Sequence, residues 1–402
     1  MSSAKAISPL VTYRQTIWLA ALAFAFFLSF SVKQAVSQEP MQTVAEYAYV
    51  TDYNSGRVLL DKNGDQPMKP ASMAKIMTVY LAFERIADGS LSLDDTFIVS
   101  ERAWKKGGSR MFLDPGSSVT VRELLAGIII QSGNDAAIAL AEGFSGSEEA
   151  FADEMNDKAR ELGMMNTVFR NATGWPDPDL TTTARDLNIL TTAMLKNFPA
   201  DTYPELYPVF AVKNYTYNNI KQGNRNPLLY KDNSADGLKT GHTSESGYGL
   251  VGTSKRGNQR VVMVLNGMAS KNERAQESVR VMDFMFREFK EYDFYQKDVV
   301  VDEANVWLGN KARVKLLAGQ DVVKVMNRKE RRDLKVTLNW SDPIPAPIKK
   351  GQQVGTISLN YDGKREDYPL VAAESVSELG FLDRITEAVK FLIFGSPFTP
   401  EG

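Results

Sequence analysis

Two serines and two lysines, spread over three short stretches, are the residues of this chain with the most chemistry to offer. The first stretch is Pro70-Ala71-Ser72-Met73-Ala74-Lys75, which opens an apolar, helix-forming run through Ile76, Met77, Val79, Tyr80, Leu81 and Phe83. A serine at a helix start with a lysine three residues on places both side chains on one face, with unpaired backbone N–H groups beside the serine. A hydroxyl becomes a nucleophile only when something takes its proton, and a desolvated lysine amine supplies that base. A serine helix cap followed by a solvated lysine has the same spelling, so this stretch alone decides nothing. The second stretch, Ser132-Gly133-Asn134, lies between the apolar run 124–130 and the small-residue run 135–142 and reads as a tight break joining two helices. The third, Lys239-Thr240-Gly241, sits in a Gly- and Thr-rich segment that alternates like a strand.

Acyl transfer gives each of these residues a task. Ser72 attacks the substrate carbonyl carbon and Lys75 takes the serine proton, while the backbone N–H groups of Ser72 and His242 form an oxyanion hole. Ser132 relays protons between Lys75 and the leaving amine. Asn134 hydrogen-bonds a substrate amide, or, in the alternative, merely satisfies its own turn. Lys239 and Thr240 bring a charge and a hydroxyl suited to a terminal carboxylate, and the strand carrying Gly241 pairs with an extended peptide at its edge. Arg225 is a candidate second clamp on that carboxylate, with an exposed loop arginine as its plainer reading. A Ser-His-Asp triad through His242, the single histidine, is rejected, because the chain has no Gly-x-Ser-x-Gly elbow and a lysine already stands beside the serine. The Gly-x-Gly-x-x-Gly at Gly247, Gly249 and Gly252 runs along an expected strand and opens no helix, so it is no phosphate loop.

Taken in order, Ser-x-x-Lys, Ser-x-Asn and Lys-Thr-Gly resemble the penicillin-recognising serine enzymes. Pro-Ala-Ser-Met-Ala-Lys-Ile-Met-Thr at 70–78, Asn-Arg-Asn-Pro-Leu-Leu at 224–229 and Asp-Gly-Leu-Lys-Thr-Gly-His-Thr at 236–243 resemble the low-molecular-mass D-alanyl-D-alanine carboxypeptidases in particular, across residues 45–290. The resemblance implies a carboxypeptidase that removes the terminal D-alanine of peptidoglycan stem peptides through an acyl-enzyme, is acylated by β-lactams and needs no cofactor. A β-lactamase, a DD-endopeptidase and a non-catalytic penicillin-binding wall sensor are the alternatives. Class A β-lactamases add a Glu-x-x-x-Asn before the Lys-Thr-Gly strand, and residues 162–204 contain no Glu here, so a bound β-lactam is expected to leave slowly.

The elements that must position these groups follow from periodicity. Length predicts two folded domains plus terminal extras. Residues 1–37 read as an export signal, with a charge-free apolar run from Gln15 to Val32 and cleavage near Gln38; an uncleaved anchor is the other reading. A catalytic α+β domain at 40–292 is expected, an antiparallel sheet with helices packed on it. Its parts are a hairpin from Tyr47, helices at 71–87, around Ser132, at 148–162 and at 272–292, a cap at Thr182-Thr183, and a meander over 236–267. Period-two alternation over 298–374 predicts a small all-β domain, with the basic run 328–332 as a solvated turn. In the tail, 377–402, apolar residues recur at helical spacing with charges opposite, which predicts an amphipathic helix lying on the outer face of the cytoplasmic membrane. A helix docked on the β-domain is the alternative. With no cysteine and one histidine, disulfides, thiolate chemistry and a His-rich zinc site are excluded, and a net charge of -2 offers nucleic acid nothing.

Overall fold

The computed structural model describes residues 41–394; the expected export signal and residues 395–402 of the tail lie outside them. Five antiparallel strands form the central sheet, in the spatial order Val58–Lys62, Tyr47–Asp52, Gln259–Met268, Gly247–Arg256, Ala235–Thr243. The expected hairpin is its first pair, with Ala48 opposite Lys62 and a bulge at Val50/Thr51. The meander supplies the other three strands, and its first strand, which carries Lys239-Thr240-Gly241, is an edge. One flank of that strand is therefore free to pair with something else. The glycine pattern at 247–252 lies inside a strand, as expected.

The helix that follows Ser72 is enclosed on every side. Residues Lys75 to Phe83 are all buried, and Tyr80 and Phe83 set their rings edge-on to Phe198 at 5.2 and 5.6 Å. Each large apolar side chain fully withdrawn from water here contributes about 2 kcal/mol, which makes this helix a stiff mount for what precedes it. Helix Ala184–Asn197 packs on strands Tyr47–Asp52 and Gln259–Met268, and its cap is Thr183, whose hydroxyl accepts from Asp186 N at 3.0 Å. Helix Lys271–Glu288 packs on the two strands 247–256 and 259–268.

Three local expectations need correction. The first helix does not begin at Ala71: residues Ala71–Ala74 form a tight 3-10 turn, and regular helix starts at Lys75. Ala71 has φ +47°, a left-handed conformation costly to a residue with a Cβ, and this bends the chain into Ser72. The helix expected to reach Tyr292 stops at Glu288, and Phe289–Tyr295 is a strand paired with Val322–Asn327. Alternation within seven residues cannot reveal a partner three decades away in sequence. The basic run is a short helix, Arg328–Asp333, whose capping box joins Asn327 to Glu330; the Glu330 carboxylate is nearly inaccessible and holds Arg57 of the first hairpin at 2.7 Å.

Beyond Glu288 the chain builds a six-stranded sheet, Lys335–Trp340, Gln353–Tyr361, Lys364–Ala372, Arg313–Ala318, Val300–Trp307 and Ile344–Pro345 in spatial order. Val314, Leu316, Ile357, Leu359 and Leu370 form its core. Helix Phe381–Phe394 follows.

Candidate active site

Three backbone devices bring the three stretches together. The turn Ala71–Ala74 presents Ser72, with Ala71, Met73 and Ala74 buried beneath it. Two glycines make room for that turn: a Cβ on Gly174 would come within 1.8 Å of Ala71 O, and one on Gly241 within 2.8 Å of Pro70 O. Gly174 also has φ +73°, which only glycine adopts without strain. The helix before Ser132 ends in a widened π turn, Gly127–Gln131, and Ser132 itself takes φ +61°. Such a turn is favoured where a side chain must be aimed rather than packed.

Ser72 and Lys75 meet as expected. Lys75 Nζ lies 3.1 Å from Ser72 Oγ, 2.7 Å from Asn134 Oδ1 and 2.6 Å from Thr173 O, and the lysine is fully buried. Burial, and after it the charge of Arg225, pull its pKa down to about 7. A neutral amine has two N–H donors and one lone pair. Asn134 Oδ1 and Thr173 O only accept, so together they take both donors, and the lone pair is left for the Ser72 hydroxyl.

A second serine and lysine pair forms across the cleft. Lys239 Nζ donates to Ser132 Oγ at 2.8 Å and to Thr240 O at 3.2 Å; burial, then the charges of Lys75, Arg225 and Arg274, hold its pKa well below the usual lysine value. Ser132 is thus bonded to Lys239 rather than to Lys75. Asn134 likewise faces inward: its oxygen serves Lys75, and its Nδ2 donates to Gly107 O at 2.8 Å. Asp135, fully buried, spends its carboxylate on four backbone N–H groups, those of Met111, Phe112, Leu113 and Ala136, and so pins the loop over the cleft. His242 stacks its ring on Tyr248 at 3.9 Å and bonds neither serine.

A recess of about 440 Å³ opens beside Ser72, lined by Ser132, Thr240, Gly241 and His242 and by three cations, Arg225, Lys271 and Arg274. Among the described residues no carboxylate lines it. Arg225 is bonded to Ser109 Oγ. Arg274 is buried with its Nε unpartnered and Nη1 only 3.4 Å from Gly249 O, and burial lowers its pKa to about 10, so it stays charged at neutral pH. A guanidinium enclosed without an anion is prepared to receive one. Neither Arg274, which in sequence looks like any polar residue of an amphipathic helix, nor Thr173, which acts through its backbone oxygen, stands out from its neighbours. A glycine following Thr173 was the only trace.

This fold and this pair of Ser and Lys couples define the penicillin-recognising serine peptidase class. Residues 33–270 match the D-alanyl-D-alanine carboxypeptidase family and residues 289–378 match the penicillin-binding protein 5 C-terminal domain. The chain is 37% identical over 392 residues to the D-alanyl-D-alanine carboxypeptidase DacC of Escherichia coli (strain K12), covering 94% of this chain and 96% of that one. It is 35% identical over 242 residues to a D-alanyl-D-alanine endopeptidase of Pseudomonas aeruginosa, covering 56% of this chain and 74% of the other. Among solved structures, penicillin binding protein 5 of Haemophilus influenzae superposes with a TM-score of 0.68 at 34% identity, covering 84% of this chain and 99% of that one. The chain belongs to the serine D-alanyl-D-alanine carboxypeptidase family.

Proposed function

We propose that Ser72, Lys75, Ser132 and Lys239 carry out the carboxypeptidase reaction of this family on peptidoglycan stem peptides ending in D-Ala-D-Ala. Ser72 Oγ attacks the penultimate D-alanine carbonyl carbon as its proton passes to Lys75 Nζ, and the N–H groups of Ser72 and His242 receive the oxyanion. The C–N bond then breaks. The proton reaches the leaving nitrogen through Ser132, whose Oγ accepts from Lys239 and so keeps its own O–H to give. Water, deprotonated by Lys75, cleaves the ester and restores Ser72. The terminal carboxylate of the departing D-alanine sits against Thr240, Arg225 and Arg274. The observation that carries this reading is the buried amine of Lys75, which lies 3.1 Å from Ser72 Oγ and has two acceptor-only neighbours, Asn134 Oδ1 and Thr173 O. Release of free D-alanine from a diacyl D-Ala-D-Ala peptide by the purified protein tests it; retention of the terminal residue would overturn it. A β-lactam enters as an analogue of the same peptide, and among the described residues the hydrogen-bond partners of Lys75 are Ser72, Asn134 and Thr173, none of them a carboxylate.

We also infer export through residues 1–37 and attachment to the periplasmic face of the inner membrane through the tail. Phe381, Leu382, Leu392 and Ile393 are each at least two-thirds exposed, so nothing in the described chain covers the apolar side of helix Phe381–Phe394. Among the described residues no helix is long and apolar enough to cross a membrane. A chain ending at Gly380 should cleave peptide at the full rate and stay soluble while the complete chain pellets with anionic vesicles. Equal partitioning of the two forms would remove the tail from this role.

A further inference from the structure

The lone pair of Lys75 faces Ser72 because two acceptors take its N–H groups, and one of the two is a backbone oxygen in a loop. Thr173 O, 2.6 Å from Lys75 Nζ, owes its aim to whatever holds the peptide units around it. The residue before it, Ala172, is tied on both sides. Its carbonyl accepts from Thr78 Oγ1 at 2.7 Å, on the helix that carries Lys75, and its N–H donates to Glu148 Oε1 at 3.1 Å. Asn171 Oδ1 accepts from the N–H of Thr173 at 3.2 Å.

Glu148 opens helix Glu148–Leu162 after the Ser147 cap, where the helix dipole favours a carboxylate that stays in water. Its neighbour Glu149 does stay there, with a side chain 68% exposed, whereas that of Glu148 is 4% exposed. A helix start does not call for this burial, and withdrawing a carboxylate from water is costly unless its oxygens are bonded. One oxygen reaches inward to Ala172 N and the other outward to Arg102 Nη2 at 2.9 Å. The carboxylate is thus clamped between a surface arginine and the loop whose next carbonyl meets Lys75.

We propose that Glu148 is a positioning residue for acyl transfer: through the Ala172 N–H it holds Thr173 O on Lys75 and so keeps the base turned toward Ser72. This rests on the carboxypeptidase reading, in which Lys75 is the base. The acceptor oxygen and the negative charge make separate contributions. Burial, Arg225 and Lys106 lower the pKa of Lys75, Asp135 and Glu148 raise it, and Lys239 is the other amine coupled to it. Glutamine at position 148 keeps the acceptor and loses the charge, while alanine loses both.

The test compares Glu148→Gln and Glu148→Ala with the wild type by stopped-flow acylation with a neutral β-lactam ester and by D-alanine release from a diacyl D-Ala-D-Ala peptide, after thermal melting has shown each variant to be folded. On the alkaline plateau Glu148→Ala should acylate about tenfold more slowly and lose kcat with KM unchanged, the effect of one buried hydrogen bond on an aimed acceptor. Glu148→Gln should stay within about twofold of the wild type on that plateau, since its amide oxygen still accepts. Its acid limb should move to lower pH, because removing an anion disfavours the ammonium. Wild-type plateau rates in Glu148→Ala, or a Glu148→Gln as slow as the alanine variant, would overturn the role. A limb in Glu148→Gln that stays in place or moves to higher pH would put the carboxylate out of reach of Lys75 and overturn it as well, a comparison that decides alone if Glu148→Ala does not fold. A wild type that is acylated yet releases no D-alanine would overturn the carboxypeptidase reading, and the acylation rates of the two variants would still decide on Glu148.

Discussion

The cleft contains the same pair of side chains twice, and the two pairs are prepared for different work. Ser72 and Lys75 sit 3.1 Å apart, Ser132 and Lys239 2.8 Å apart, and both amines are buried with lowered pKa values. The difference lies in what else each amine touches. Lys75 has two acceptor-only neighbours that consume its N–H groups and leave a lone pair facing a hydroxyl on a strained turn. Lys239 is a donor to Ser132 and Thr240 O, beside Arg225 and Arg274. Nucleophilicity is thus a property of the surrounding acceptors, since serine and lysine alone do not separate a nucleophile from a relay.

Breaking the first pair should have the largest effect. Ser72→Ala should abolish covalent labelling by a fluorescent penicillin, and mass spectrometry of the wild type should find the adduct on Ser72; an adduct on Ser132 would reverse the assignment of the two pairs. Lys75→Ala should keep the fold and slow acylation by on the order of 10² to 10⁴, measured by stopped-flow β-lactam labelling. Unchanged acylation in that variant would mean that the lone pair has no role.

Breaking the second pair should cost less and should separate two tasks. Lys239→Ala removes the buried donor to Ser132, for which about a tenfold loss in kcat/KM is expected, on peptides with a free terminal carboxylate and on amidated ones alike. Arg274→Ala should act on the free acids alone, by about tenfold and through KM, because its guanidinium faces the recess and not the serine. If Lys239→Ala instead spares the amides, that lysine holds the carboxylate directly and Ser132 relays without it.

Much of this site was legible because its parts are short motifs with local geometry. Ser72 and Lys75 lie within one turn, and Ser132 and Asn134 within another, so spacing alone puts them together. The strand of Lys239-Thr240-Gly241 is legible as the first of a meander with tight turns, and its place at the edge is set by the whole sheet. What could not be read was decided across the fold. In sequence Asn134 suits a substrate amide or its own turn, and the fold turns its amide toward Lys75 and Gly107. Arg274 lies on a helix whose pattern makes it one polar residue among many, and only the packing of Lys271–Glu288 against the sheet carries it to the recess. Residues 289–292, expected as the end of a helix, open the strand Phe289–Tyr295, whose ladder partner, Val322–Asn327, is remote in sequence. Local pattern has no access to such pairings.

The smallest expected effect is on pH dependence, and it probes the first pair without removing any part of it. If neutral Lys75 is the base, kcat/KM on a D-Ala-D-Ala peptide rises with pH and levels off above its pKa of about 7, falling about tenfold per unit well below it. Arg225 is the largest charge acting to lower that pKa. Removing a neighbouring cation favours the protonated amine, so Arg225→Met should move the acid limb to higher pH and leave the plateau of a neutral β-lactam ester nearly unchanged, that substrate having no carboxylate for Arg225 to hold. A limb that stays in place would assign it to a group other than Lys75. A limb that moves to lower pH would contradict the sign of the interaction and, with it, the assignment of Lys75 as a base poised by burial among positive charges.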